Sequence, residues 1–333
     1  MATPIVHLSE TTPRLLVVVH TEEEFDWSAG FARDKLGTTH TQALPVMHEI
    51  CAAKGYKPTY FCSYPIANST GGSSVLRAMV SDGSGQIGAH LHPWVCPPFS
   101  EEVSSFNSYP GNLPEAVERK KLSLLTERIA EAFGNAPTAY LAGRYGFGAN
   151  TGQILGDLGY RVDCSSAPGW DYRADGGPNY RDESSHAFWD AQSPSLLRIP
   201  HTGGYVGRLC QGGNRKLRIE DIPLAKKLRL PGIASRLGLV TRTRLTLEGS
   251  DPAAMRQLAR DLFDDGVRLF TLSYHSPSAD IGHTPYVQTA ADLASFKTIL
   301  REFLDFFTQE LGGTGATANE AYALACKHVG LTR

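Results

Sequence analysis

Apolar residues recur along this chain with two periods. Short β-rich runs stand at residues 15–19, 59–62, 86–89, 139–142, 161–163, 196–199 and 268–273. The first, Leu15-Leu16-Val17-Val18-Val19, is aliphatic without a break, as in a strand buried on both faces. Between most of the runs the spacing becomes helical. Residues 114–133 put Leu122, Leu125, Ile129 and Phe133 on one face, and Gly134 is a stop signal. Asp251-Pro252 reads as an N-cap followed by a first-turn proline, after which Met255, Leu258, Leu262 and Phe263 share a face up to Gly266. The clearest helical period runs through Phe296, Ile299, Leu300, Phe303, Leu304, Phe307 and Leu311. There is no internal repeat. This alternation predicts an α/β fold on a parallel sheet, open or closed into a barrel.

Unusual polar residues fall where the predicted strands end. His20 and Glu22 follow the first run, His90 and His92 the third, Arg144 the fourth; Asp163 and His275 close two more. In α/β sheets and barrels that C-terminal edge is where active sites form. Each residue also has a plainer reading. A histidine at a strand end ordinarily makes a structural hydrogen bond, Asp163 could cap a turn, and Arg144 could form a surface ion pair or orient a substrate oxygen. Glu23 and Glu24 read as a solvated acidic turn, and Tyr109 and Tyr286 as exposed loop aromatics of a cleft or an interface. His90 and His92, two apart in an extended segment, point the same way. With Glu22 they make a two-histidine, one-carboxylate set of the kind that binds zinc and other divalent transition metals while leaving positions open.

Composition narrows the classes. The 333 residues are 41% hydrophobic, enough for a large core, and the net charge of −2 disfavours a nucleic-acid binder. No apolar run reaches the ~18 residues of a membrane span, and the first residues lack signal-peptide character, so a cytoplasmic location is expected. Six dispersed cysteines, without a Cys-x-x-Cys pair, read as reduced thiols. A segment from Arg208 to Arg244 carries ten Lys/Arg against two acidic residues. It reads as a basic insertion, at about 206–250, in a single domain spanning 1–333. It is either solvated or a lid and surface for an anionic substrate.

Together these residues resemble the polysaccharide deacetylases of the NodB-homology type, carbohydrate esterase family 4, and most of all their WalW-like branch. The strings that carry the resemblance are TEEEFDW (21–27), GAHLHPW (88–94), NSYPGNLP (107–114), AGRYG (142–146), HSPS (275–278) and GHTPYV (282–287). It runs from about residue 14 to about residue 311.

The resemblance implies a distorted (β/α) barrel of about seven parallel strands. It also implies hydrolytic removal of an acetyl group from an N-acetylated sugar, possibly nucleotide- or lipid-linked, with a divalent metal: Zn2+, or Co2+, Ni2+ or Mn2+. Carried over residue by residue, Glu22, His90 and His92 hold the metal. His20 stands at the base position, Arg144 holds the base, His275 is the acid and Asp163 supports it. Asp26, Trp27, Trp94 and Tyr145 contact substrate. Two positions depart from the family pattern: the base is ordinarily Asp, and the metal histidines are ordinarily four apart. Two alternatives therefore accompany the deacetylase reading: a metal-independent hydrolase of another C–N bond, and a non-catalytic glycan-binding relative.

Overall fold

The structure is a computed structural model that describes residues 5–6, 11–210, 227, 232, 234 and 236–328. Its strands are β1 (Arg14–Thr21), β2 (Thr59–Cys62), β3 (Gln86–Leu91), β4 (Ala139–Ala142), β5 (Val162–Asp163), β6 (Phe188–Trp189), β7 (Leu197–Arg198), β8 (Gly203–Val206), β9 (Thr241–Arg244), β10 (Leu269–His275) and β11 (Thr314–Gly315). The helices are α1 (Leu44–Ala52), α2 (Tyr64–Asn68), α3 (Thr70–Val80), α4 (Glu115–Phe133), α5 (Thr151–Asp157), α6 (Pro252–Asp264), α7 (Ala290–Gln309) and α8 (Ala318–His328).

The main sheet runs β10-β1-β2-β3-β4-β5-β7-β6, with β11 also beside β1. All of its pairs are parallel except β6 with β7. This is a curled half-barrel rather than a closed ring: among the described residues the ladder ends at β10 and at β6. Residues 245–247 partly fill the gap. The Leu245 amide donates to the Thr202 carbonyl, and the Leu245 carbonyl accepts from Ser273.

Strand periodicity sorts the core into two layers. Leu15, Val17 and Val19 of β1 face outward, clustered with Leu122, Leu125 and Ile129 of α4, Met255 and Leu258 of α6, and Phe303 and Phe307 of α7. Leu16 and Val18 face inward with Phe61, Leu141, Val162, Leu197 and Ile199. The small side chains of Ala318, Ala321 and Ala325 let α8 pack against this inner cluster. Continuing the parity, His20 follows Leu16 and Val18 on the inner face, in register with His275 of β10.

The segment read as a basic insertion begins at the end of β8 and includes β9, and the two strands pair antiparallel. Its centre, including Lys226 and Arg229, lies outside the described residues. No helix of the described residues is long and apolar enough to cross a membrane.

Candidate active site

Glu22, His90 and His92 meet at the C-terminal edge of β1 and β3. Oε2 of Glu22 is 3.4 Å from Nε2 of His90 and 3.4 Å from Nε2 of His92. The opposite ring nitrogens are already committed: Nδ1 of His90 lies 2.8 Å from the Leu141 carbonyl, and Nδ1 of His92 lies 2.7 Å from Oε1 of Glu23. Both partners only accept, so each Nδ1 carries the proton, and in the neutral tautomer each Nε2 presents a lone pair to Glu22. Burial holds His90 neutral, lowering its pKa to about 4, and raises that of Glu22 to about 7. With both rings neutral and Glu22 ionised, three acceptors converge without a proton to share, and Nε2 of His90 and Oε1 of Glu22 are buried with no partner. A cation satisfies this arrangement. The donor set and its outer hydrogen bonds fit a divalent transition metal.

The acidic triplet is not a solvated turn. Glu23 is fully buried; burial pushes its pKa up, but the charge and hydrogen bond of His92 outweigh this and lower it. Glu24 accepts from the His40 amide and lies 3.0 Å from its ring Nδ1, while Nε2 of His40 contacts the Ser276 hydroxyl at 2.8 Å. That hydroxyl in turn accepts from the Glu22 amide. A short polar chain therefore fixes the turn that presents Glu22. The loop after His92 is fixed from α4, whose buried Lys121 donates to the carbonyls of Pro93, Cys96 and Pro98 and pairs with Glu101 at 3.0 Å.

His20 and His275 lie side by side, their ring centroids 4.5 Å apart, and both come within reach of Glu22. Their environments push them in opposite directions. Burial, then the neighbouring His275, His90, His201 and Arg244, hold the pKa of His20 well below the usual histidine range. Its Nε2 is buried without a partner. Burial also works against the charged form of His275, but Glu248 and Glu22 outweigh it and raise its pKa to about 9. Glu248 is the orienting group: its Oε2 lies 2.6 Å from Nδ1 of His275, and its Oε1 accepts from the His275 amide and the Ser278 hydroxyl.

Two expected supports do not stand where the sequence placed them. Asp163 does not reach His275. Its register partner across β4 is Tyr140, an outer-layer residue, so the carboxylate faces away from the inner cluster. There it pairs with Arg198 at 3.1 Å and accepts from the Ser165 hydroxyl. Arg144 does not hold His20 either. It lies over the Tyr109 ring, donates to the Ser108 hydroxyl and pairs with Asp175 at 3.2 Å. Arg144 and Tyr145 both have left-handed backbone, with φ of 53° and 60°. That uncommon conformation turns the Tyr145 ring toward His20. Gly143 permits the turn, because a Cβ there would run into the Leu91 carbonyl and the His92 ring.

These groups line a cavity of about 590 Å³ whose wall includes Asp26, Trp27, Trp94 and Tyr145. The Trp27 ring is edge-on to His275 at 5.0 Å, Trp94 stacks on His92 at 4.3 Å, and the Asp26 carboxylate is engaged with Ser28. Tyr109 is buried in the same wall rather than exposed.

Three site residues escaped the sequence reading. His201, buried with both ring nitrogens unpartnered, contacts His20 and Tyr145. It continues the inward parity of Leu197 and Ile199, a signal available in the sequence. Glu248 and Arg244 come from the last part of the segment read as a basic insertion, at about 206–250, where the sequence reading placed no strand. Arg244 donates to the hydroxyls of Tyr145 and Tyr172 at 2.7 and 2.8 Å.

No protein-family model matches the chain, and no curated protein matches it in sequence. Among solved structures, a protein from Mycobacterium smegmatis described as a polysaccharide deacetylase is 17% identical, with a TM-score of 0.57 over 100% of this chain and 97% of the other. A protein from Pseudomonas aeruginosa PAO1 described in the same way is 16% identical, with a TM-score of 0.55 over 99% and 96%. The Puue allantoinase is 16% identical, with a TM-score of 0.54 over 100% and 96%. At these identities the likeness establishes one thing: the chain shares the curled α/β half-barrel fold of these proteins.

Proposed function

We propose that the protein is a metal-dependent deacetylase of N-acetylated sugars, of the WalW-like branch of carbohydrate esterase family 4. The carrying observation is the pair His20 and His275, 4.5 Å apart beside the Glu22–His90–His92 set, one held neutral and the other held protonated. Paired titratable groups driven apart in this way are the mark of an acid and a base. The fold likeness to two proteins described as polysaccharide deacetylases agrees with this reading.

Glu22, His90 and His92 hold the ion, zinc by preference of the donor set. Bound there, it supplies Lewis acidity toward the acetyl carbonyl and acidifies water. The neutral Nε2 of His20 accepts the proton of the attacking water. His275, held by Glu248 through Nδ1, gives the proton on Nε2 to the leaving amine. Trp27 and Tyr145 exclude solvent from the two imidazoles. Acetate release from N-acetylated hexosamines and their oligomers, before and after chelation and zinc return, tests the proposal. Elemental analysis of the wild type and His90→Ala tests the site without reference to turnover; equal metal in both removes His90 from it.

Two observations favour a second reading. His20 replaces the aspartate that the resemblance expects, and the fold is shared with an allantoinase. A hydrolase of another C–N bond, working without metal, keeps full activity through chelation.

A further inference from the structure

Arg244 closes β9 with its guanidinium in the wall of the cavity, and its hydrogen bonding is incomplete. A guanidinium has five N–H donors. Two are used, on the Tyr145 and Tyr172 hydroxyls. Its Nε is buried without a partner. The group is sandwiched against the rings of Trp170 at 4.1 Å and Tyr145 at 4.7 Å, which fixes its plane. Two other arginines of the fold have counter-charges: Arg144 has Asp175, and Arg198 has Asp163. Among the described residues no carboxylate lies within ion-pair distance of Arg244. Phenols supply hydrogen-bond acceptors but no charge, and a buried cation without an anion is costly to keep.

We propose that Arg244 is a specificity residue that receives a carboxylate of the substrate, so that the cavity takes N-acylated sugar acids in preference to neutral sugars. The sugar half of this statement rests on the deacetylase reading; the anion half rests on Arg244 alone. A planar fork with one positive charge matches a carboxylate, which takes two parallel N–H bonds. A phosphate dianion fits less well, because Glu22, Asp26 and Asp175 already line the same cavity. The carboxylate and the acetamide belong to one molecule, since Arg244 and His20 flank the same Tyr145 ring.

Calorimetric titration of the purified full chain with three probes tests this. N-acetylmuramic acid carries its carboxylate on an ether arm, 2-acetamido-2-deoxyglucuronic acid carries it on the ring, and N-acetylglucosamine has none. At least one acid is expected to bind ~10–100-fold more tightly than the neutral sugar, the range for charge-assisted hydrogen bonds. Which acid wins locates the carboxylate. In Arg244→Met the preference falls to within about threefold; in Arg244→Lys, which keeps the charge but not the fork, it falls partway. If the methionine variant does not fold, Arg244→Lys and Tyr172→Phe carry the test, each weakening acids more than the neutral sugar. Equal binding of acids and neutral sugar by the wild type overturns the proposal, as does no binding of any probe or an unchanged preference in the variants. The two readings fail separately. Acid binding through Arg244 without acetate release would leave this proposal standing and remove the deacetylase. Acetate release from neutral sugar, at the same kcat/KM in Arg244→Lys, would do the reverse.

Discussion

Nδ1 of His275 lies 2.6 Å from Oε2 of Glu248, a residue 27 positions earlier on a stretch that belongs to no strand of the main sheet. The contact exists because residues 245–247 lean on β10 through Ser273, which delivers the next side chain to the neighbouring strand end. An anionic acceptor on Nδ1 fixes the ring so that Nε2 faces the cavity.

Glu248→Gln keeps an acceptor and removes the charge. We expect kcat to fall ~10²-fold or more, within the range for a disabled general acid, with metal content unchanged. Steady-state kinetics alongside elemental analysis check this. A variant with wild-type kcat would show that Glu248 is only a structural partner.

Asp163→Asn should behave in the opposite way. The carboxylate faces the outer layer and its partner is Arg198, so turnover of the folded protein stays within a few-fold of the wild type. Stability falls by about 2–4 kcal/mol, because a buried guanidinium loses its main counter-charge. Urea unfolding measures the second effect, and a large loss of kcat at full folding would restore Asp163 to the catalytic machinery.

Glu23→Gln leaves all three metal-facing atoms in place. It weakens the hold on Nδ1 of His92 and makes that ring a poorer donor. Zinc affinity should drop ~10–100-fold, the usual effect of removing an outer hydrogen-bond partner. Competition with a chromophoric chelator reads it directly, and unchanged affinity would return Glu23 to a packing role.

Glu118 predicts a pH signature outside the site. It is buried on α4, its Oε1 accepts from the Thr151 hydroxyl, its Oε2 has no partner, and burial raises its pKa to about 7. Between its ordinary value and about 7 the folded chain binds more proton than the unfolded chain, so stability contributed by the protonated form is lost as pH rises through that window. Glu118→Gln removes this dependence. Relative to wild type it gains on the order of 2–3 kcal/mol between pH 5 and pH 8. Urea midpoints at the two pH values decide it: parallel shifts in both proteins would mean that Glu118 ionises without penalty.

Much of the scaffold was legible because its signals are local. The strands at 15–19, 59–62 and 139–142 announce themselves as apolar runs, α6 by period and cap, and α7 by period. Glu22, His90 and His92 were legible because i, i+2 spacing at a strand end already sets direction. Asp163 misled because the sequence gives its position on a strand but not the strand's parity relative to its neighbours. Tyr140 opposite it settles the face, and that pairing is a tertiary fact. Glu248 and Arg244 were hidden for a related reason. They are placed by contacts with β10 and with Tyr145 and Tyr172, across separations that no local pattern records. Glu23 was misread because a run of three glutamates looks solvated until its histidine partner is known.

The ammonium of Lys121 ties three carbonyls of the loop after His92 to the middle of α4. Those carbonyls cannot be released to water without stranding a buried lysine, nor can α4 fray past Lys121 while the loop stays docked. The loop and the helix should therefore open as one unit, so that amide protons of α4 around Lys121 and those of residues 94–96 exchange with deuterium at a common free energy and respond together to Lys121→Met. A segment that the chain trace presents as an irregular connection is, in its dynamics, an extension of the helix behind it.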